Sequence, residues 1–120
     1  MYYNREAEEA LIGCILVDGD MLTKVLYLQP SDFFSEFARD AWKAILVCKQ
    51  EGYGIDQITV AHHLTKASNS ARIELLARWI ARCPTSVHAP YYARIIKELS
   101  LQRQQLNKLA QPIKPRGIRF

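Results

Sequence analysis

The 120-residue sequence lacks any long apolar run. No stretch approaches the ~20 consecutive apolar residues that a transmembrane helix needs. The apolar segment 10–17 is too short for such a helix, and glutamates precede it where a secretory signal carries basic residues. We therefore expect a cytoplasmic protein with no membrane partner.

The sequence also lacks the common signatures of catalysis. Its Gly-Tyr-Gly segment at 52–54 has neither the spacing nor the Lys-Ser/Thr pair of a phosphate loop. His62 and His63 are adjacent, so on a helix they would point about 100° apart and could not hold one ion together. Cys83 and His88 flank a proline-containing corner, with nothing evident to orient the imidazole of a nucleophile pair. We expect no catalytic, cofactor or metal site, and no ATP hydrolysis by this chain alone.

Cysteine is scarce, odd in number and widely spaced, which argues against a disulfide framework. The three cysteines are Cys14, Cys48 and Cys83, each within an apolar pattern. They are interpreted as buried free thiols. The apolar fraction of 49% and the charged fraction of 23% are typical of one globular domain.

Period-two alternation is absent over any useful length, and helical periodicity takes its place. We predict an all-α fold, with helices from the Asn4 cap to about 17, at 21–28, at 36–51, from 56 or 59 to 67, at 71–82, and from 90 to about 111. Gly13 within the first helix indicates close approach of a neighbouring backbone, and Phe33 and Phe34 are predicted to insert together into the core. The predicted core residues are Leu11, Ile15, Phe33, Trp42, Ile45, Leu46, Val60 and Leu64.

We divide the domain into a small helical head at 1–70, an αα-hairpin at 71–110 and a basic tail or linker start at 111–120. The first hairpin helix has one apolar face at Ile73, Leu76, Ala77 and Ile80 and a second at Leu75 and Trp79. One face should pack on the other hairpin helix. The second face predicts contact with another copy of the chain, unless Trp79 simply covers the head.

The net charge of +4 is concentrated at the end of the chain. Residues 1–87 carry nine Lys/Arg against eleven Asp/Glu, or −2, whereas residues 88–120 carry seven Lys/Arg against Glu98 alone, or +6. A basic end of this kind can touch phosphates. No aromatic residue interleaves the late basic residues as a stacking platform would require, so a solvated helix face and tail is the alternative interpretation.

Four segments, in order, resemble the N-terminal domain of DnaB-type replicative DNA helicases. The first is the opening helix at 5–13, which has acidic residues and alanines at its start and then a glycine, and the second is the turn at 28–34, in which a proline and an acidic residue precede two phenylalanines. The third, at 52–60, has glycines followed by an apolar residue with Asp and then by Thr-Val. The fourth, at 83–98, is the hairpin corner with the start of the following helix. The resemblance covers residues 4–106. The chain departs from the family in having Ala71-Arg72 in place of a longer loop with a Gly-Gly pair, and it contains no nucleotide-binding motor domain. It is therefore expected to be either a helicase fragment or a stand-alone protein that keeps only the collar. The basic end resembles the start of an interdomain linker, which favours the fragment.

The resemblance implies a module of DNA replication with no enzymatic activity of its own, taken from an ATP-dependent helicase. In the family this domain forms dimers through the hairpin, three of which build a collar above the motor ring, and it docks the C-terminal domain of the primase. A helicase loader is a further expected partner, and DNA is expected to bind weakly if at all. The expected self-association residues are Leu75, Trp79, Tyr92, Ile95, Ile96 and Leu99, and the expected primase-docking residues are Glu6, Leu75 and Leu106. The alternative is a stand-alone DNA-binding or regulatory protein that uses residues 94–119 on phosphates.

Overall fold

The computed structural model describes residues 2–64 and 70–110, and every regular element in these ranges is helical. The α-helices are α1 (Arg5–Val17), α2 (Glu36–Glu51), α3 (Gln57–Leu64), α4 (Ser70–Arg82) and α5 (Ala89–Ala110). Three 3₁₀ segments, Gly19–Lys24, Pro30–Asp32 and Ser86–His88, connect them. The all-α prediction is confirmed. The predicted end of the fourth helix at 65–67 and the basic tail at 111–120 lie outside the described residues.

Helix α1 lies at the centre of the domain. It starts where the Asn4 side chain accepts a hydrogen bond from the Ala7 N–H at 2.9 Å, as its cap residue predicts. From Ala10 to Leu16 every residue is buried, which is the mark of a helix surrounded by protein on all sides. Helices α4 and α5 both pack against it.

Gly13 allows α1 and α4 to approach closely. A Cβ atom at this position would overlap the carbonyl oxygen of Trp79 in α4. Because backbone cannot move aside as a flexible side chain can, the two helices approach this closely only with glycine here. The predicted role of Gly13 is confirmed.

Helix α2 supplies the largest core residue. Trp42 is fully buried, its indole N–H donates to the Leu28 carbonyl at 3.1 Å, and its ring lies 5.3 Å from that of Phe33. Ser35 caps the helix at its start, and Gly52, with φ of 80°, ends it in the left-handed conformation. Among the predicted core residues these are fully buried: Leu11, Ile15, Phe33, Trp42, Ile45 and Val60. Leu46 and Leu64 are partly buried at the edge of the core.

Two local predictions differ from the structure. Phe34 does not enter the core, because it stacks on Tyr3 at the surface with ring centroids 4.1 Å apart and stays 44% exposed. The helix predicted at 21–28 is instead the 3₁₀ segment Gly19–Lys24, followed by turns. A segment of six residues can close few α-helical hydrogen bonds, and this one uses i→i+3 bonds such as Met21 N–H to the Asp18 carbonyl at 3.0 Å.

The corner at 83–88 joins α4 and α5 as predicted, but the two helices pack mainly on α1 rather than on each other. Helix α1 is apolar around its circumference and can take one helix on each side. Leu76 and Trp79 form the inward face of α4, whereas Ile73 is 44% exposed. The apolar face of α4 is therefore rotated from the one that spacing alone predicted. None of the helices in the described ranges is both long and apolar enough to cross a membrane.

Candidate assembly and docking surface

One face of helix α5 is buried against the rest of the domain. Ala89, Ala93, Ile96 and Ser100, at alternating steps of four and three, are each at most 2% exposed. This spacing keeps one stripe of a helix turned to a neighbour over several turns. Past Ser100 the helix is exposed at nearly every described position, so its last turns extend beyond the packed core.

A second apolar stripe runs beside the buried one. It consists of residues at coiled-coil-like spacing, which we call the outer stripe: Tyr92, Ile95, Leu99, Leu106 and Leu109. Tyr92 and Leu99 are partly buried, while Ile95, Leu106 and Leu109 are 36%, 38% and 76% exposed. Steps of three, four and seven place these side chains on one seam that a partner helix can cover. The described part of the chain leaves that seam largely uncovered.

The direction of α5 is fixed by a buried carboxylate. Asp32 is 1% exposed and accepts hydrogen bonds from Ser100 Oγ at 2.6 Å, from Lys97 Nζ at 3.1 Å and from the Gln29 N–H at 2.7 Å. The Arg103 guanidinium donates to the Asp32 carbonyl at 2.7 Å. A buried charge is stable only with such partners, so this cluster holds the middle of α5 against the Pro30–Asp32 turn.

A second buried carboxylate holds the start of α2. Glu8 is 1% exposed and accepts from the backbone N–H groups of Phe34 at 2.7 Å and Ser35 at 3.0 Å. Burial raises the pKa of Glu8 above its ordinary value of 4.5, and the two backbone donors partly oppose that shift. The segment that carries Phe34 is thereby tied to α1, next to the exposed end of α5.

Two open clefts border the outer stripe. The first, of about 380 Å³, is the Glu6 cleft, lined by Asn4, Glu6, Ala7, Ala10, Arg82, Tyr92 and Ile95. The second, of about 600 Å³, is the Leu106 cleft, lined by Tyr2, Tyr3, Phe34, Arg103, Leu106 and Asn107. Arg103 lies 5.6 Å from the centroid of the Phe34 ring and donates to the Tyr2 carbonyl at 2.8 Å. Each cleft includes at least one residue of the outer stripe.

The residues expected to mediate self-association differ in how far they are buried. Trp79 is only 4% exposed, with its ring 5.1 Å from that of Phe37. The premise that Trp79 needs a second molecule is therefore wrong, because the chain's own helices cover it. Ile96 is also buried, and Leu75 is partly buried against the core. Of the six expected residues, Tyr92, Ile95 and Leu99 lie on the outer stripe.

The residues expected to dock primase do not line a common cleft. Glu6 is exposed in the first turn of α1 and lines the Glu6 cleft, while Leu106 lines the Leu106 cleft. Leu75 lines neither cleft. The outer stripe links the first two, since its members border both clefts. Sequence reasoning missed this continuity, although the seven-residue repeat of Tyr92, Leu99 and Leu106 was available to show it.

A histidine and a cysteine lie close together between α2 and α3. His63 Nδ1 lies 3.0 Å from the Thr59 carbonyl oxygen and 3.6 Å from Cys48 Sγ. His63 Nε2 lies 3.2 Å from Glu51 Oε1. Burial raises the pKa of Cys48. In the described ranges no group of three or more potential ligands is arranged to hold a metal ion.

Comparison with known protein families identifies the family to which the chain belongs. The model of the DnaB-like helicase N-terminal domain matches residues 1–98, which include all four segments that carry the resemblance. The chain belongs to this family. The family model describes the N-terminal domain of DnaB-like helicases.

Individual relatives agree with this assignment. The chain is 30% identical over 105 residues to the replicative DNA helicase DnaC of Bacillus subtilis, covering 84% of the chain and 23% of that helicase. It is 29% identical over 103 residues to the replicative DNA helicase DnaB of Geobacillus stearothermophilus, covering 82% and 23%. The chain thus spans about a quarter of the length of these DnaB relatives.

The fold agrees as well. The crystal structure of the N-terminal domain of DnaB helicase from Mycobacterium tuberculosis superposes with a TM-score of 0.81 at 31% identity, covering 88% of this chain and 78% of the other. The DnaB N-terminal fold that the sequence predicted is confirmed.

Proposed function

We propose that this chain acts as the N-terminal collar domain of a replicative DNA helicase and that its copies assemble through the outer stripe of α5. The observation that carries the proposal is the largely uncovered apolar seam of Tyr92, Ile95, Leu99, Leu106 and Leu109 on a domain of the DnaB family. The proposed unit is a dimer, and three dimers would form the collar of the parent ring. The parent protein would supply ATP-dependent unwinding.

Physical reasoning supports α5 as the assembly element. Two copies of one helix face can meet about a two-fold axis, where the same patch serves both partners. The Asp32 cluster fixes the middle of the helix before the partner arrives, so the backbone that carries the stripe does not have to be ordered on assembly. A stable interface typically buries ~800 Å² on each partner, which requires the flanking clefts as well as the stripe.

We further propose that the C-terminal domain of primase docks beside this interface, with Glu6, Leu75 and Leu106 as its contacts, and that a helicase loader is a second partner. The exposure of Glu6 and Leu106 on clefts that border the same stripe supports this arrangement. Leu75 is the weakest of the three, because it is partly buried against the core.

The docking proposal is tested by calorimetric titration of the cognate primase C-terminal domain into the chain carrying Glu6→Gln, Leu75→Ala and Leu106→Ala. We expect the affinity to fall at least tenfold, since loss of 1.4 kcal/mol is tenfold and two exposed contacts are removed. Leu101→Ala, an exposed leucine on the opposite side of α5, is the control. Unchanged primase binding by a folded triple variant would remove these residues from the site.

The alternative is a DNA-binding protein that uses the basic residues of α5. Arg94 and Lys108 are exposed and could reach phosphates. Lys97 and Arg103, however, already bind Asp32. Half of the basic side chains on this helix are therefore engaged within the domain, which favours the assembly function.

One pair of measurements separates the two functions. Light scattering should show a dimer whose stability changes little between low and high salt, because apolar contacts dominate its interface. Anisotropy with a short labelled DNA should show at most weak binding. A monomer at all concentrations, together with DNA binding that weakens steeply with salt, would overturn the assembly proposal in favour of the alternative.

A further inference from the structure

Two cysteine thiols meet at the joint between α1 and the α4–α5 corner. Cys14 Sγ lies 2.7 Å from Cys83 Sγ, although the residues are 69 positions apart, and both are free thiols. Cys14 is fully buried in α1, and Cys83 follows the end of α4 and is partly exposed. A second contact, from Cys14 Sγ to the Thr85 carbonyl at 3.6 Å, places the corner on the same side of α1.

The surrounding backbone holds the pair in place. The neighbouring residue, Gly13, is in direct backbone contact with Trp79, one helical turn before Cys83. The corner itself is ordered by the Thr85 side chain, which accepts from the Val87 N–H, and by Ser86 Oγ, which donates to Asp18 at 3.4 Å. The two thiols are thus brought together by α1 and the corner, and their sulfur atoms, 2.7 Å apart, need only a small movement to reach the 2.03–2.05 Å of a disulfide bond.

We propose that Cys14 and Cys83 are an oxidisable pair that forms an intramolecular disulfide, which fastens the α4–α5 corner to α1. The oxidant is a peroxide. Because Cys83 is the accessible partner, its sulfur attacks the peroxide, the O–O bond breaks, and the products from hydrogen peroxide are a Cys83 sulfenic acid and water. The Cys14 sulfur then attacks the sulfenic sulfur, the S–O bond breaks, and a second water leaves. Two thiols lose two electrons and two protons in all, and one peroxide is reduced.

The two cysteines have different parts in this reaction. Burial, and then the neighbouring Cys83, raise the pKa of Cys14 far above its ordinary value, so this thiol is a poor first nucleophile. It is well placed to resolve the sulfenic acid, since it already touches the Cys83 sulfur. Cys48 lies against His63, is fully buried and provides an internal control.

The bond would restrict the chain between α1 and the corner from which α5 departs. A cross-link between distant residues stabilises mainly by limiting the unfolded chain. We therefore expect the apparent Tm to rise by about 10 °C on oxidation and to return on reduction.

The test treats the full chain with hydrogen peroxide and maps its peptides by mass spectrometry without reduction. We expect a Cys14–Cys83 cross-linked peptide that lacks two hydrogen atoms, a monomeric band on a non-reducing gel, and reversal by dithiothreitol. The Cys48→Ala variant should behave as the wild type. Cys83→Ser, at a partly exposed position that should tolerate the change, should show neither the cross-link nor the rise in Tm.

Three results would overturn the proposal. They are a folded wild type whose three thiols remain free under peroxide, a Cys83 that proceeds to sulfinic acid without cross-linking, and a disulfide that joins Cys83 of two molecules. Cys14→Ala gives a second check, because its Cys83 sulfenic acid would lack a resolving partner and should be trapped by dimedone.

Discussion

At the scale of single residues, two buried carboxylates position α5 and the segment that carries Phe34. Glu8 binds backbone donors 26 and 27 residues away, and Asp32 binds Ser100, 68 residues away. In the sequence Glu8 looks like one of several acidic residues that favour a helix start, and Asp32 like an ordinary turn residue. Their actual roles depend on partners brought close only by the fold, so local patterns could not reveal them.

Trp42 gives the clearest prediction at this scale. Replacing it with Ala should lower the free energy of unfolding by about 3–5 kcal/mol, because the change leaves a large cavity and an unpaired Leu28 carbonyl. Urea denaturation measures the loss. Tyr27→Ala, at a position 49% exposed, is the control and should cost no more than about 0.5 kcal/mol. A loss below about 1 kcal/mol for Trp42→Ala would contradict the described core.

At the scale of helices, the sequence predicted starts and ends better than faces. Asn4, Ser35 and Gly52 mark the bounds of α1 and α2 because caps act within a few residues. The inward face of α4 was misassigned because its apolar residues nearly encircle the helix, and the choice between Ile73 and Trp79 depends on the position of α1. The prediction that α4 and α5 pack on each other was wrong for the same reason, because their actual packing on α1 also depends on the position of α1.

The contact between α1 and α4 can be tested directly. Gly13→Ala should destabilise the domain by about 1–3 kcal/mol, because the new methyl group collides with the Trp79 carbonyl and must push the helices apart. Helix propensity alone would give the opposite sign, with a gain of about 1 kcal/mol. Gly54→Ala, which meets nothing within 4 Å, is the control in the same urea titration. A Gly13→Ala protein as stable as the wild type would show that the helices are not in backbone contact.

At the scale of the whole molecule, α5 determines the shape and the available surface. Its 22 residues give a helix ~33 Å long, within a domain that extends 55 × 31 × 25 Å. The sequence predicted six self-association residues, and three of them, Tyr92, Ile95 and Leu99, lie on the outer stripe. The sequence could not show that Trp79 and Ile96 are buried and so unavailable to a second copy, because their burial depends on Phe37, α1 and the Pro30–Asp32 turn, all distant in sequence.

If the outer stripe of α5 is an assembly surface, its leucines determine whether the chain dimerises, and sedimentation equilibrium on three proteins measures this. The proteins are the wild type, the double variant Leu99→Glu/Leu106→Glu, and the control Leu101→Glu. Leu101 is 50% exposed but lies on the opposite side of α5 from the stripe. We predict a concentration-dependent dimer for the wild type and the control, and a monomer with unchanged helical circular dichroism for the double variant. A wild type that stays monomeric at tens of micromolar, or a double variant that dimerises as strongly as the wild type, would show that the outer stripe is not an assembly surface.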